Sequence, residues 1–350
     1  MNDARSTSTT ARLAAPAAGP VLTSVVPSTG PAAGNNTVTL NGSGFAGITA
    51  VLFGTTPALT YTVNSTTKIT AVAPPGTGSV AVTVKNPGGT SNPVTYTYAA
   101  APTLTAVSSS QGPASGGTTV ILTGTGLSLA GAVMFGATPA TTFTVDSSTQ
   151  ITAVTPAGSG PVPITVTTPG GTTGPVYFFY LTAPTLISVT PAQGPTAGGT
   201  SVTLRGADLT GATTVRFGAT PATTFTVDSP TQITAVTPTG SGTVPVTVTT
   251  PGGSSNPVAY SYVPTPQLSG LSPSQGPVDP GAVITLAGSG LTTTTTVRFG
   301  ADPAAFTVLS DTTITASAPT GPAGSVLVTV TTPGGTSNSL PYTRVSAPHI

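Results

Sequence analysis

Chemistry near neutral pH needs acids, bases or nucleophiles within reach of one another, and this chain of 350 residues carries few of them. Its acids are seven aspartates with no glutamate, its single histidine is His349, and it has no cysteine or tryptophan. A lone histidine rules out a His cluster, and its place next to the C-terminus, outside the repeated copies, argues against a His-based triad within the chain. The lack of cysteine excludes a disulfide framework, a thiol nucleophile and a Cys-ligated zinc or iron–sulfur site. Glycoside hydrolysis needs two carboxyl groups at each site. Residues 20–98 contain no acid and residues 102–180 contain only Asp146, so a repeated hydrolase site is excluded.

The remaining polar candidates have plainer readings. Asn64, Asp146 and Asp228 stand at equivalent places. A calcium site would want several carboxylates converging on one ion, whereas an Asx-turn at a Val-to-Ser corner accepts either Asn or Asp. Asp279, Asp302 and Asp311 read as loop residues. Lys68 and Lys85 are candidates for an internal isopeptide bond, which needs a nearby acid that residues 20–98 do not supply. Gly42-Ser43-Gly44-Phe45-Ala46-Gly47 has the dinucleotide-binding glycine spacing. That reading requires a helix to follow; no helical pattern does, so the segment reads as a turn. No catalytic residue, metal or cofactor is expected.

Charge narrows the partners. Lys and Arg number eight, the net charge is +1, and charged residues make up 4% of the chain, against ~25% in an ordinary soluble domain. There is no basic stripe to bind nucleic acid. With so few groups titrating near neutrality, the fold should be indifferent to pH from roughly 5 to 9. No apolar run approaches the ~20 residues of a membrane span. The N-terminal residues are polar, and residues 13–18 are too short and Pro-broken for a signal-peptide core.

The elements that would position any site repeat every 82 residues. Phe-Gly recurs at Phe53, Phe135, Phe217 and Phe299; Pro-Gly-Gly at Pro87, Pro169, Pro251 and Pro333; Gly-Pro at Gly30, Gly112, Gly194 and Gly276. In the third copy Val202 and Leu204 alternate with polar neighbours, as do Val215 and Phe217, and Val258, Tyr260 and Tyr262. Period-two alternation in short runs marks half-buried strands. Seven such strands per copy, with Gly-Pro read as a turn and no helical periodicity, predict an immunoglobulin-like sandwich. Pro245 inside a strand pattern predicts an edge or a bulge. Lacking charged edge guards, such sheets must rely on Pro, Gly and short strands to block edge pairing.

The expected architecture is all-β: four tandem sandwich domains at 20–99, 100–181, 182–263 and 264–345, with an N-terminal arm at 1–19 and a C-terminal segment at 346–350. Linkers of a few residues favour an extended rod on the order of 150 Å long.

Each copy resembles an IPT/TIG domain, an early-set immunoglobulin-like sandwich. In copy two the matching residues are Gly112-Pro113, Gly116-Gly117-Thr118, the run 122–127, Val133-Met134-Phe135-Gly136 and Pro169-Gly170-Gly171-Thr172. The resemblance implies the fold strongly and the function weakly. The family occurs in receptor ectodomains, transcription factors, accessory modules of carbohydrate-active enzymes, and bacterial surface and phage proteins. The Arg-rich loops of its DNA-binding branch are missing here.

Aromatics follow the repeat. Phe53, Phe135, Phe217 and Phe299 form one expected core column, and Tyr96, Phe178, Tyr260 and Tyr342 another. A sugar-stacking platform would want exposed Trp or Tyr, and strand alternation assigns most of these rings to the core. Tyr177-Phe178-Phe179-Tyr180 is the exception, because two of the four must face away from it; packing at the junction between copies is the expected use.

At the C-terminal end Arg344 replaces Tyr98, Tyr180 and Tyr262, and Pro348 continues the phase of Pro266. Arg344, Pro348, His349 and Ile350 are therefore the candidate subunit interface, for head-to-tail association with residues 1–19 as the complementary arm. The expected function is a non-enzymatic structural or adhesive rod in a fibre, surface layer or appendage, placed outside the cell or on its surface. A glycan- or receptor-binding module, or a phage or injection-system fibre or decoration protein, is the alternative; the lack of a recognisable secretion signal favours the latter over ordinary export. Expected partners are further copies of the chain, other surface or virion proteins, or glycans, with no nucleic acid.

Overall fold

The computed structural model describes residues 18–346. They form two compact units, one reaching to Ser110 and including Ser115–Tyr180, the other comprising Gln111–Ala114 and the residues from Leu181 onward. No helix occurs among the described residues, and none is therefore long and apolar enough to cross a membrane.

The first domain shows the plan. Its strands are β1 (Val21–Val26), β2 (Thr29–Pro31), β3 (Thr37–Ser43), β4 (Ala50–Phe53), β5 (Thr56–Pro57), β6 (Thr60–Ser65), β7 (Lys68–Val72), β8 (Gly78–Asn86), β9 (Gly89–Thr90) and β10 (Val94–Ala99). One sheet runs in the order β1-β3-β7-β6; the other runs β2-β10-β8-β4-β5, with β9 folded onto β8. The same two sheets recur in all four domains.

Alternation decides which side chains meet between the sheets. In β3, Val38 and Leu40 are buried while Thr37 and Asn41 are not. Phe53 and Tyr96 meet edge to face with ring centroids 5.2 Å apart, and Tyr98 packs on Tyr96 in the same manner at 5.0 Å. The predicted columns recur as Phe135–Phe178, Phe217–Tyr260 and Phe299–Tyr342. Edge-to-face pairs contribute about 1 kcal/mol beyond their area, so each domain has a self-sufficient aromatic centre.

Ten strands replace the seven expected. The extra ones, β2, β5 and β9, are two or three residues long and carry no readable alternation. Gly30-Pro31, read from sequence as a turn, lies in β2, which pairs in parallel with the last strand: Thr29 opposite Thr97, Gly30 opposite Tyr98, Pro31 opposite Ala99. Pro therefore caps a short edge strand, as the scarcity of charge requires. Pro245 lies within a central strand, Gly242–Thr250. Its neighbour Thr214–Phe217 reaches only as far as Val246, and beyond it Gly218 donates to the Pro245 carbonyl at 2.7 Å. The proline thus sits where one ladder ends and no amide donor is needed.

Candidate functional site

The run 177–180 divides as alternation demands. Phe178 and Tyr180 are buried in the second domain, whereas Tyr177 is 53% and Phe179 46% exposed. Both project from the strand Val176–Leu181 onto the outer face of the larger sheet, in the first compact unit. About half of each residue's surface is open to solvent. Pro163 lies opposite Tyr177 and Pro161 opposite Phe179 on the adjoining strand. The sequence signal was the unbroken aromatic run itself.

The polar candidates are occupied with holding hairpins. Thr70, Thr152 and Thr234 donate their hydroxyls to Asn64, Asp146 and Asp228 at 2.8, 2.7 and 2.8 Å. These Asn and Asp side chains bridge two strands, in place of the Asx-turn expected. The corner is closed by the next residue: the amides of Thr67, Thr149 and Thr231 donate to the hydroxyls of Ser65, Ser147 and Ser229. Asp311 accepts from the Thr292 hydroxyl at 2.8 Å and the Gly290 amide at 3.1 Å. The Thr292 hydroxyl first, then the Gly290 amide, hold its carboxyl below the usual carboxylate range. Lys68 stands opposite Asn41, whose amide donates to Ser24. Among the described residues no three His, Cys, Asp or Glu side chains gather where a metal could sit. In the glycine-spaced segment Phe45 is a core residue, and the chain continues through a turn into β4.

The Pro-Gly-Gly marker has a specific task. A side chain on Gly170 would collide with the carbonyl of Ala100, on Gly252 with that of Thr182, and on Gly334 with that of Pro264. The residues leading into each of these domains thus lie flat on its own turn. The glycine that follows has φ between +116° and +134° in all four copies, a backbone few other residues adopt. Thr168, Thr250 and Thr332 complete the turn by accepting the amides of Gly170, Gly252 and Gly334 at 3.0–3.1 Å. In the last domain Thr265 adds a hydrogen bond to the Gly334 carbonyl at 3.0 Å.

Of the four residues placed at a subunit interface, Arg344 is described and is 4% exposed. Its guanidinium lies 3.6 Å from Asp302 and donates to Pro319 inside its own domain, which leaves little of it to meet a second subunit. Pro348, His349 and Ile350 lie outside the described residues.

A family model for the IPT/TIG domain matches residues 20–98, 102–180, 184–262 and 266–344. A search of curated proteins finds no match. Among solved structures, the full extracellular region of plexin A4 is similar at 18% identity over 86% of this chain and 34% of that one, with a TM-score of 0.34. This chain therefore spans about a third of the plexin chain's length. Invasin, a bacterial integrin-binding protein, matches at 18% identity over 93% and 79%, TM-score 0.30. The SGBP-B of a Bacteroides ovatus mixed-linkage glucan utilization locus, solved with a heptasaccharide, matches at 17% over 69% and 67%, TM-score 0.24. No catalytic domain is evident.

Proposed function

Because the chain belongs to the IPT/TIG family through four consecutive domains, we propose that it is a non-enzymatic structural and adhesive protein working at the cell surface or outside the cell. The observation that supports this reading is the character of what repeats. Side chains and turns that recur are the ones that hold shape: the aromatic columns of all four domains, the hairpin bridges of the first three and the turn beneath the linker in the last three. The acids are not part of what recurs in every copy: residues 20–98 have none, and Asp146 and Asp228 share a place that Asn64 takes in the first copy.

The turn contacts suit a spacer. Ala100, against Gly170, and Pro264, against Gly334, are each the first residue after the last strand of the preceding domain, so the chain passes from that strand directly onto the next domain's turn. Linkers so short restrict the swing of neighbouring domains. This supports the reading of a rod-like subunit of a fibre, layer or appendage, and a phage or injection-system fibre would use the same construction. The Thr-, Ser- and Gly-rich surface, nearly free of charge, fits a packed assembly better than crowded cytosol.

Small-angle scattering and negative-stain microscopy of the full chain test the reading. Elongated particles, single or joined end to end, are expected; compact particles would overturn it. A variant lacking residues 347–350 tests head-to-tail joining through Pro348, His349 and Ile350. Unchanged assembly of that variant would dismiss it.

A further inference from the structure

The outer face of the larger sheet is built differently in the second domain than in the other three. Where it carries Tyr177 and Phe179, the others carry Thr95 and Thr97, Ala259 and Ser261, and Pro341 and Thr343. Pro161 and Pro163 extend the face on the adjoining strand, and Met134, opposite Thr165, extends it on the next. Two side chains at i and i+2 of a strand stand about 7 Å apart on one side. The four copies share a core, so a difference confined to one outer face is not needed for folding.

Charge and area restrict what could lie there. Residues 102–180 hold no Lys or Arg, and their one acid, Asp146, accepts from Thr152 in the opposite sheet. A phosphate- or sulfate-bearing ligand would find no cation. The open parts of the two rings come to roughly 100 Å² each, given the 150–250 Å² such side chains can bury. A stable protein partner needs about 800 Å² on each side, far more than this ridge offers. An uncharged pyranose matches it in scale, for its C–H face is flat and apolar while its hydroxyls stay in water.

We propose that the second domain binds a neutral polysaccharide by stacking its sugar rings on Tyr177 and Phe179. The inference goes beyond the scaffold reading and does not depend on it. Electrophoresis of the full chain through gels containing hydroxyethyl cellulose, xylan, galactomannan or pullulan reads the binding, with heparin as the anionic comparison. At least one neutral polymer should retard the chain and heparin should not. The double variant Tyr177→Thr/Phe179→Thr should lose about tenfold or more in affinity. It copies Thr95 and Thr97 of the first domain, so it keeps the sheet, which a thermal melt verifies. No retardation in any neutral gel, equal retardation of the variant, or retardation by heparin alone would overturn the proposal. So would a concentration-dependent dimer that the double variant abolishes, since the occupant would then be a second copy.

Discussion

Arg344 donates from Nη2 to the carbonyl oxygen of Pro319 at 3.2 Å, in the place where a tyrosine serves the earlier domains. Tyr98 reaches Pro74 at 2.8 Å and Tyr262 reaches Pro238 at 2.9 Å, each through its phenol hydroxyl. Gly76, Gly240 and Gly321 leave room for the ring or the guanidinium, since a side chain on any of them would strike it. Tyr180 fills the same slot against Gly158 in the second domain, but its hydroxyl has no hydrogen-bond partner, so the planar group is the constant and the donation is made in three domains of four. The substitution is not free, because the buried Nε of Arg344 has no hydrogen-bond partner.

Exchange at this position should follow that logic. Arg344→Tyr is expected to hold the last domain's stability or raise it by about 1 kcal/mol, as it removes an unpaired buried donor and a buried charge. Arg344→Ala should lower it by about 3 kcal/mol, leaving a void and an unmet carbonyl. Hydrogen exchange of the strand Leu340–Val345 reads both changes. Equal losses in the two variants would refute the equivalence of tyrosine and arginine here.

A clamp present in three domains is missing from the second. Asn92 accepts from the Leu22 amide at 3.0 Å and donates to its carbonyl at 2.7 Å, tying β1 to the loop after β9. Asn256 does the same for Leu186, and Asn338 for Leu268. The second domain has Gly174 there, with open space around it, and its Leu104 is less buried than Leu22. Gly174→Asn should therefore stabilise that domain by about 1 kcal/mol, from two hydrogen bonds and a less flexible unfolded chain. Slower hydrogen exchange in Thr103–Val107 is the expected reading, and unchanged exchange would count against the clamp.

These two positions also show what could be read without coordinates. Phe53, Tyr96 and their counterparts were legible because alternation and the repeat both mark them. The Asn92 clamp was not, because its partner is backbone 70 residues away. The Gly30-Pro31 strand was not legible because three residues have no period. The exchange of Asn64 for Asp146 was visible, but both turns and hairpin bridges use such side chains, and only the Thr hydroxyl across the strand decides. Arg344 was recognised as a departure from tyrosine; its inward direction needed the slot above Pro319.

Alkali should unfold the protein where acid does not. Burial raises the phenol pKa values of Tyr96, Tyr98, Tyr180, Tyr262 and Tyr342. An unfolded phenol ionises near pH 10, so the unfolded state releases its protons first. That stabilisation is complete below about pH 10 and is lost as pH climbs through the folded values. On the acid side Asp311 contributes with the opposite sign: its share is present above roughly pH 4 and fades as pH falls further. The melting midpoint should stay level from about pH 5 to 9 and drop above 10, together with a rise in phenolate absorbance. A slope between pH 6 and 8 would contradict this.

The linker contact gives the most direct test of the junctions. Gly170→Ala sets a methyl group against the Ala100 carbonyl, and Gly334→Ala sets one against that of Pro264. Backbone lies on both sides, so the linker must lift away, at a cost of about 1–3 kcal/mol to the contact. The cores are remote and should keep their melting behaviour. Limited proteolysis ought to cut the altered linker faster than its untouched counterpart, and scattering ought to show a broader distribution of domain separations. Gly335→Ala is the control: no atom crowds its neighbourhood closely, but its φ of +116° is unfavourable for alanine. It should weaken the turn without displacing the linker. If all three variants loosened the junction equally, strain in the turn rather than the seat beneath the linker would be what fixes it.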